Sequence, residues 1–490
     1  MKIDKKVSTV FEKLKKLNGN SPDLTTRNIN VMYKNIGYMF LESVSSDDKI
    51  SDYLVKSIIK VTNETSTLDN LFKNIYKTLE NNIYNSKVQT IKTYDEILYY
   101  LASGYTCIVV DGFKEALVIE TKESLDRGVT EPISELSVKG PKDSFTENYN
   151  KNIGLIRKRI KDKNLWFKEN IVGRRSKTKV SVAYIKDIAD INKVKVIEEK
   201  IKNIDIDGIL DIGYIRDFLI TDNYSTFPTV INTERPDIAC SSLLEGKIVI
   251  IMENTPNVLV IPGLLNNFIH ASEDSYQKAI NVSLTRFVRF LAFIITIVTP
   301  SLYIAATTFN QEIIPDTLLI SLAIERAMVP FPNAFAILVL IITFELLRES
   351  DMRIPSSMGT SISIVGALVL GDAAVNAGLV SPMSVIVIAI TSITGLVFSD
   401  LDIINAFRYW RIFFLIFSCT MGLIGFVCAG IIFTTKLASM ESFGVAYLQP
   451  FSPFNKAFFQ DAIFTKPHNK MKNRPSYLTD NKKRLGDKND

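Results

Sequence analysis

Histidine and cysteine are scarce in this chain of 490 residues, which contains 2 histidines and 4 cysteines. His270 and His468 stand too far apart in the sequence to suggest a histidine metal site or a catalytic triad. The cysteines are scattered, with neither metal-binding spacing nor a disulfide framework. A glycine-rich phosphate loop after a strand is also missing. The sequence therefore argues against an enzyme, and it predicts no catalytic residue, no metal site and no cofactor.

The first twenty residues lack an apolar run of the signal-peptide type. They carry several lysines on an amphipathic pattern, so we expect residues 1–28 to form a basic, flexible start. The net charge of +5 is modest, and surface lysines and the basic C-terminal region account for it. We therefore expect no nucleic-acid partner, and we expect the soluble part of the chain to stay in the cytoplasm.

Apolar residues are unevenly distributed along the chain. Residues 1 to about 285 are rich in Lys, Asn, Asp and Glu, whereas Ile, Leu, Val, Phe, Ala and Gly dominate residues 287–434. Such a shift marks a boundary between a soluble and a membrane part. The predicted fold is multi-domain: an N-terminal soluble α/β (α+β) region of two subdomains, followed by an α-helical polytopic membrane domain.

Helical and strand patterns alternate in the soluble region. Apolar residues at helical spacing predict helices over residues 68–83, 148–160 and 193–204. Apolar runs predict strands over residues 105–110, 115–120, 180–185, 247–252 and 258–262. Gly140-Pro141 punctuates the chain, so we place subdomain 1 at residues 29–140 and subdomain 2 at residues 141–283.

Two polar runs in the second subdomain each have two interpretations. A basic cluster binds an anionic partner or lipid head groups, or it is a solvated loop or subunit contact; it consists of Arg174, Arg175, Lys177 and Lys179. The TERPD run at residues 233–237 is either a site loop or a turn held by local ion pairs and aspartate capping.

The predicted membrane domain, residues 284–436, contains about five spans by the length criterion for membrane helices. Apolar runs place them at residues 290–306, 333–347, 361–380, 383–398 and 412–434. A polar, basic tail follows at residues 437–490. Arginines ahead of the first span favour a cytoplasmic soluble region. A re-entrant element, at residues 318–328 or around Gly422, would bring the C-terminus to the same side.

The most informative run is ERAMVPFP at residues 325–332, between two apolar stretches. Proline removes a backbone donor and interrupts a helix. Charge at membrane depth is kept mostly where it faces protein or a water-filled path. We therefore predict a broken or re-entrant segment around residues 318–332, of the kind that channels and transporters use. Its predicted hinge residues are Glu325, Arg326, Pro330, Phe331 and Pro332.

Asp372 and Glu345 also lie in the apolar half and are candidates for a polar path. For Asp372 the alternative is a structural hydrogen bond, and for Glu345 it is a position at the membrane interface beside Arg348. Small residues spaced four apart predict close contacts between helices. These packing residues are Ala374, Gly378, Gly425 and Ala429.

Several longer runs, taken in order, carry a family resemblance. They lie at residues 140–160, 172–180, 233–237, 300–315, 329–335, 363–382 and 441–453. Together they resemble the A subunit of the spore germinant receptors, the GerA family of endospore-forming bacteria, over roughly residues 95–465. The sequence departs from the family pattern at Asn310, where histidine is common, and at Asp372 and Asn376, which replace a usual Gln and Glu.

The resemblance implies a nutrient-responsive receptor subunit in the inner spore membrane, with its N-terminal region facing the spore core. It implies B and C subunits as partners, a homo-oligomer of A subunits, contact with membrane lipid, and a small nutrient sensed by the complex. In such a family the A subunits are expected to form an ion channel whose opening starts germination.

From the residues alone, a secondary transporter and a membrane-bound enzyme are the alternatives. The span count is too low for two transporter repeats, and no catalytic set supports an enzyme.

Overall fold

The computed structural model divides the chain into two compact units. The first consists of Met1–Asn223, Val230–Gly263 and Met471–Asp490, and the second of Tyr224–Thr229 and Leu264–Lys470. Within them the structure describes residues 2–31, 34–56, 88–123, 139–220, 225–353, 371–455 and 461–481, with single residues 132, 135, 137, 222, 459, 483 and 484. The predicted helix over residues 68–83 and the first half of the predicted span over residues 361–380 lie outside the described residues. The predicted domain boundaries stay predictions.

The first unit begins with a five-stranded sheet. Its strands are β1 (Leu24–Val31), β2 (Lys34–Leu41), β3 (Val88–Ile91), β4 (Tyr105–Val110) and β5 (Ala116–Glu120). They lie in the order β1-β2-β4-β5-β3, and every neighbouring pair is antiparallel. Helices α1 (Val7–Leu17) and α2 (Tyr94–Ala102) belong to the same half of the unit. The predicted strands over residues 105–110 and 115–120 are confirmed.

Alternation along β4 explains why this strand is central. Cys107 and Val109 face an apolar core shared with α1 and α2, whereas Ile108 and Val110 face a second cluster on the opposite side. Successive residues of a strand point to opposite faces, so a run without polar interruption suits a strand covered on both sides.

A second five-stranded sheet follows in the same unit. Its strands are β6 (Leu165–Val172), β7 (Thr178–Ile185), β8 (Ile231–Thr233), β9 (Ile248–Met252) and β10 (Val258–Ile261). Its helices are α3 (Tyr149–Arg159), α4 (Ile191–Lys202), α5 (Ile212–Leu219) and α6 (Pro236–Glu245). The order is β6-β7-β9-β10-β8, again antiparallel throughout. The predicted helices over residues 148–160 and 193–204 are confirmed, as are the predicted strands.

The two sheets have the same strand order, with the third strand of each at an edge beside the fifth. In each half a helix precedes the first strand, and another helix separates the third strand from the fourth. The described part of the first unit thus contains an architectural repeat. Antiparallel pairing makes the region α+β, since a parallel sheet would need crossover connections.

A buried ion pair joins the two halves of the first unit. Arg157 on α3, which is 1% exposed, donates from Nε to Asp23 at 2.8 Å and from Nη2 to the same carboxylate at 3.2 Å. The hydroxyls of Ser21 and Ser43 donate to the two carboxylate oxygens at 2.6 and 3.0 Å. The ring of Phe167 lies 4.8 Å from the guanidinium carbon. Both charges are therefore fully partnered away from water.

The TERPD run is a turn between β8 and α6. Arg235 is 0% exposed; it pairs with Asp237 at 2.8 Å and donates to the carbonyl of Pro141 at 3.0 Å. The hydroxyl of Thr233, and not an aspartate, accepts the backbone N–H of Arg235 at 3.1 Å. The interpretation as a turn held by ion pairs is confirmed by the Arg235–Asp237 pair, and the expected aspartate capping stays a prediction.

Glu135 is half-buried and packs against this turn. Its carboxyl accepts the Thr233 hydroxyl at 2.5 Å and the backbone N–H of Glu234 at 3.1 Å. Burial raises the pKa of Glu135 to about 7, although these hydrogen bonds and the charge of Arg235 act in the opposite direction. The group is therefore protonated in the fold at mildly acidic pH.

The end of the chain also folds onto the first unit. Arg474 donates to the carbonyl of Leu244 at 2.9 Å, and Asn481 donates to that of Asp187 at 3.0 Å. Thr479 donates to the carbonyl of Ile188, and the side chain of Leu478 is buried. Residues 471–481 of the predicted tail are thus anchored.

The second unit is helical. Its helices are α7 (Leu265–Ile269), α8 (Ala279–Ile304), α9 (Asp316–Ala327), α10 (Asn333–Arg353), α11 (Pro382–Gly395) and α12 (Leu401–Ser439). A π-helical turn, Ala305–Phe309, extends α8, residues 371–376 are helical, and two short strands follow α12, β11 (Glu441–Ser442) and β12 (Val445–Ala446). Among the described residues, two helical stretches are long and apolar enough to cross a membrane by length and composition, Ala279–Phe309 and Leu401–Ser439.

Helix α12 reverses direction at Gly422. This residue has φ 60° and ψ −135°, a conformation that essentially only glycine adopts. The rings of Trp410 and Phe433 lie 5.0 Å apart, whereas a straight helix would separate them by about 35 Å. Helix α12 is therefore a helical hairpin with arms at residues 401–421 and 423–439. The predicted single span over residues 412–434 is wrong, and the reversal lies in the region around Gly422 that the sequence offered as one of two possible re-entrant elements.

Replacing Glu135 by glutamine should change how stability depends on pH. The folded-state pKa of about 7 lies above the unfolded value of about 4.3. Between these values the unfolded chain has lost the proton and the fold retains it. The free energy of unfolding should therefore fall as pH rises through this window, by about 1.4 kcal/mol per pH unit, and level off above it.

Glu135→Gln should remove this component of the slope, and the exposed control Glu199→Gln should keep it. A Trp410→Phe background leaves Trp166, in the first unit, as the single fluorescent reporter of denaturant unfolding, since the chain has 2 tryptophans. Parallel pH profiles for wild type and Glu135→Gln would contradict the expectation.

Candidate functional site

The predicted break is present between α9 and α10. Residues 328–332 are non-helical, and α10 restarts where the carbonyl of Pro332 accepts the N–H groups of Phe335 and Ala336 at 3.0 and 3.1 Å. Helix α9 has 12 residues, about 18 Å of helix, which is shorter than the roughly 30 Å apolar layer of a membrane. A helix of this length is too short to cross such a layer, and its role as a half-helix stays a prediction.

Thr307, in the last turn extending α8, is the centre of a polar network at the break. Carbonyls of a last turn have no partner within the helix. The Thr307 carbonyl accepts from Arg326 at 2.9 Å and from Gln311 at 3.2 Å. Its hydroxyl accepts from Asn333 at 3.0 Å and donates to the carbonyl of Tyr303 at 2.8 Å. The network ties α9 and the start of α10 to α8.

The same network continues to α11. The Ser384 hydroxyl donates to Asn333 Oδ1 at 3.3 Å and lies 2.8 Å from the hydroxyl of Ser381. Ser381 is the N-cap residue of α11 and accepts the backbone N–H of Ser384 at 3.3 Å. Four helix ends, those of α8, α9, α10 and α11, therefore meet at one set of polar groups.

A cavity of about 370 Å³ lies beside this network. Its polar wall consists of Gln311, Arg326, Asn333 and Ser381. Its apolar wall comes from alanines of α9 and α10, with Val329 and Phe331 from the break. The cavity is thus amphipathic, with one charged group.

The predicted hinge residues have different positions. Arg326 and Phe331 line the cavity, whereas Pro330 and Pro332 lie in the non-helical segment. Glu325 does not line the cavity, and its buried Oε2 has no hydrogen-bond partner among the described residues. Neighbouring charges at 325 and 326 therefore do not neutralise each other.

The hairpin tip contacts the end of α8. A Cβ at Gly422 would lie 2.6 Å from that of Phe309, so the close approach requires glycine. The backbone N–H of Leu423, beside the reversal, donates to Asn310 Oδ1 at 3.2 Å. Sequence reasoning missed the hydrogen bond between Asn310 and Leu423, although it named the region around Gly422 as one of two candidate re-entrant elements.

The predicted packing residues lie at close contacts. A Cβ at Gly425 would lie 2.0 Å from the carbonyl oxygen of Phe417 in the other arm of α12, and Ala429 is buried. Gly378 has φ +64°, and its added Cβ would lie 3.2 Å from the carbonyl oxygen of Met328. Ala374 packs against the apolar cluster between α10 and α11.

The two polar-path candidates are not brought together by a shared contact. Asp372 is exposed and accepts a hydrogen bond from Asn376 at 3.1 Å. Glu345 forms ion pairs with Arg408 at 2.6 Å and Arg411 at 3.4 Å. Arg411 also donates to the carbonyl of Thr296 at 3.0 Å. These ion pairs with α12 were not predicted, because the partners lie far apart in the sequence.

Arg174, Arg175 and Lys177 of the basic cluster lie in the turn between β6 and β7, and Lys179 lies in β7. Arg174 pairs with Asp205 at 2.5 Å and Arg175 with Asp207 at 3.8 Å, and all four side chains are exposed. Lys177 adopts φ 47° in the turn, and the Lys179 ammonium lies 6.0 Å from the ring centre of Tyr149. The pairing favours the solvated loop, and anion binding stays a hypothesis.

The described residues contain no group of three or more His, Cys, Asp or Glu side chains arranged to hold a metal ion. The site at the break is therefore built from hydrogen-bonding groups, one guanidinium and apolar walls.

Comparisons with known proteins identify the family. Residues 12–477 match the family described as Bacillus/Clostridium GerA spore germination protein. The chain is 35% identical to spore germination protein KA of Bacillus subtilis (strain 168), over 95% of this chain and 85% of that protein. It is 32% identical to spore germination protein GerLA of Bacillus cereus, over 96% of this chain and 95% of that protein.

A solved structure also matches, the N-terminal domain of the A subunit of the Bacillus megaterium spore germinant receptor GerK3. The identity is 29%, with a TM-score of 0.42, over 54% of this chain and 98% of that chain. The resemblance inferred from the sequence runs is confirmed by the family match over nearly the whole chain. On this match and the extent of its relatives, the chain belongs to the GerA family of spore germination proteins.

Proposed function

We propose that this protein is the A subunit of a nutrient germinant receptor in the inner spore membrane, where it forms an oligomeric ion channel gated by the germinant. The observation that carries the proposal is the broken helix pair α9–α10, with its polar network and cavity among apolar helices. Non-helical backbone at membrane depth occurs where protein or a water-filled path satisfies it. B and C subunits, further A subunits and lipid are the proposed partners.

Contacts at the base of the helices support an even number of membrane passes. Arg286, near the start of α8, pairs with Asp274 at 3.0 Å and with Asp461 at 3.2 Å. The His270 ring contacts the carbonyl oxygen of Ala462 at 2.8 Å. The segment before α8 and the segment after α12 therefore lie together, so the chain between them starts and ends on one side.

The path of the helices gives the proposed number of passes. Helix α8 runs from this base to the break, and α10 runs back from Asn333 to the Glu345 ion pairs. Gly378 lies at the break again, since its added Cβ would lie 3.2 Å from the carbonyl oxygen of Met328, and α11 leaves the break from there. Phe407 and Phe433 both contact Phe293, so the two arms of α12 run to Gly422 and back. This path has about six passes, and α9 crosses nothing.

The proposed orientation places the base in the spore core. Residues 471–481 belong to the same unit as the N-terminal sheets, so both chain ends share one side. Arginines concentrate at the base end of the helices, on α8, α10 and α12. An excess of Lys and Arg in short connections marks the cytoplasmic side.

Cysteine labelling tests this orientation. In a background without the natural cysteines, Lys195→Cys and Asp480→Cys should be protected from an impermeant maleimide in intact cells, because both face the core. Glu312→Cys, in the exposed turn before α9, should be labelled. Permeabilised cells provide the labelling control, and labelling of Asp480→Cys in intact cells would contradict the even number of passes.

Replacing Pro330 and Pro332 together by alanine tests the hinge. Alanine restores the backbone N–H that each proline lacks and removes the steric restriction of its ring. A helix through the break is therefore stabilised by about 3 kcal/mol or more per position. A continuous α9–α10 helix should form and germination should slow strongly, with protein abundance reduced less. Pro315→Ala, before α9 and outside the break, is the matched control. Wild-type germination by the double variant would remove the hinge from the mechanism.

Asp372→Asn tests the proposed polar path. The exchange keeps the shape of the side chain and its contact with Asn376, and it removes the charge. On insertion scales, placing a carboxylate at the centre of a membrane helix costs about 2.5–3.5 kcal/mol of free energy. Ion release after germinant addition should slow or change selectivity at matched protein level. Asp316→Asn, on exposed α9, is the control. Unchanged release kinetics in Asp372→Asn would leave this carboxylate a structural role only.

A further inference from the structure

Arg326 presents an uncompensated charge to the cavity at the break. Its guanidinium is half-buried and donates from Nη1 to the Thr307 carbonyl at 2.9 Å. No carboxylate among the described residues forms an ion pair with it. A charge in apolar surroundings is costly unless it is paired or solvated. The cavity therefore has a position where an anion is favoured.

The walls of the cavity specify the kind of anion. None of the lining residues is acidic, and Gln311, Asn333 and Ser381 add polar groups on the side of Arg326. The remaining wall is apolar, from small alanines with Val329 and Phe331. A ligand that fits carries its negative charge at one end and an uncharged apolar part at the other.

We propose that this cavity is a binding site for a small organic carboxylate with a short apolar tail. The carboxylate accepts charge-assisted hydrogen bonds from Arg326, and a guanidinium matches a carboxylate with two parallel donors. The volume of about 370 Å³ is near the lower end of the roughly 300–1,000 Å³ range of ligand pockets, so the tail is short.

Occupancy would act directly on the break. Arg326 lies in the last turn of α9, Phe331 belongs to the non-helical segment and Asn333 starts α10. A ligand that contacts all three bridges the two sides of the break and favours the arrangement seen here. The inference goes beyond the proposed channel, because binding is measurable in a protein that conducts nothing.

Butyrate binding to the purified full-length chain in detergent tests the proposal. Calorimetric titration should detect butyrate, and butyramide, which has nearly the same shape without the charge, should bind at least roughly tenfold more weakly. Inorganic phosphate, which has charge without a tail, should also bind more weakly. Thermal unfolding should shift upward with butyrate concentration, as expected for a ligand of the folded state.

Two variants locate the site. Arg326→Gln keeps a donor for Thr307 and should lose roughly tenfold or more in butyrate affinity. Ala323→Leu fills part of the cavity without altering a charge and should also weaken binding. Arg353→Gln removes an arginine paired with Glu349 outside the cavity and should leave affinity unchanged. The unliganded melting temperature of each variant shows that it is folded.

Several outcomes would overturn the proposal: no butyrate binding to wild type, equal affinity for butyramide, or unchanged affinity in both Arg326→Gln and Ala323→Leu. Ion flux in proteoliposomes is recorded separately. If the chain binds butyrate but conducts no ions, the channel proposal fails and the binding site stands. If it conducts ions but does not bind butyrate, only the binding-site proposal fails.

Discussion

The fold depends on one constraint, that a polar group taken away from water needs a partner. Leaving one unpaired costs about 1–3 kcal/mol. In the helical unit this applies where helices stop. The carbonyl of Thr307, in the last turn before the break, has no partner within the helix, and the side chains of Arg326 and Gln311 donate hydrogen bonds to it. Asn310 accepts the N–H of Leu423 beside the reversal at Gly422. The break and the hairpin tip are thus both held at the end of α8.

The same constraint holds the first unit together. Asp23 and Arg157 come from different halves of the architectural repeat, and each satisfies the other in a place that is almost free of solvent. Removing one partner of such a pair typically costs about 3–5 kcal/mol, because the other charge stays buried. Two sheets of identical strand order therefore act as one unit with a common apolar core.

These interactions connect the proposed hinge with the rest of the helical unit. Thr307 shares its two oxygen atoms among side chains from α9, α10 and the turn after α8, and Ser384 extends the contact to α11. A movement of α9 would break or exchange bonds at all of these helix ends together. The GerA family membership sets the biological context, and the cavity beside Arg326 offers a place where a ligand would bias that movement.

Local sequence patterns were sufficient to predict most of the secondary-structure elements and the family. Apolar periodicity located the strand at Tyr105–Val110 and the helix at Tyr149–Arg159, because alternation and helical spacing are local properties of a chain. The break was also predictable, since Pro330 and Pro332 cannot continue a helix. The order of the motifs along the chain was enough to indicate the GerA family.

Contacts between groups that lie far apart in the sequence could not be predicted, because they depend on tertiary packing. The sequence offered the region around Gly422 only as one of two possible re-entrant elements, because hydropathy is the same on both sides of this glycine. Its backbone φ of 60° has no signature in composition. Glu345 meets Arg411, and Asp23 meets Arg157, across separations that carry no periodic signal. The cavity at Arg326 likewise exists only when α9, the break and α11 are packed together. Local patterns fix each element, and long-range packing alone fixes the partners of its polar groups.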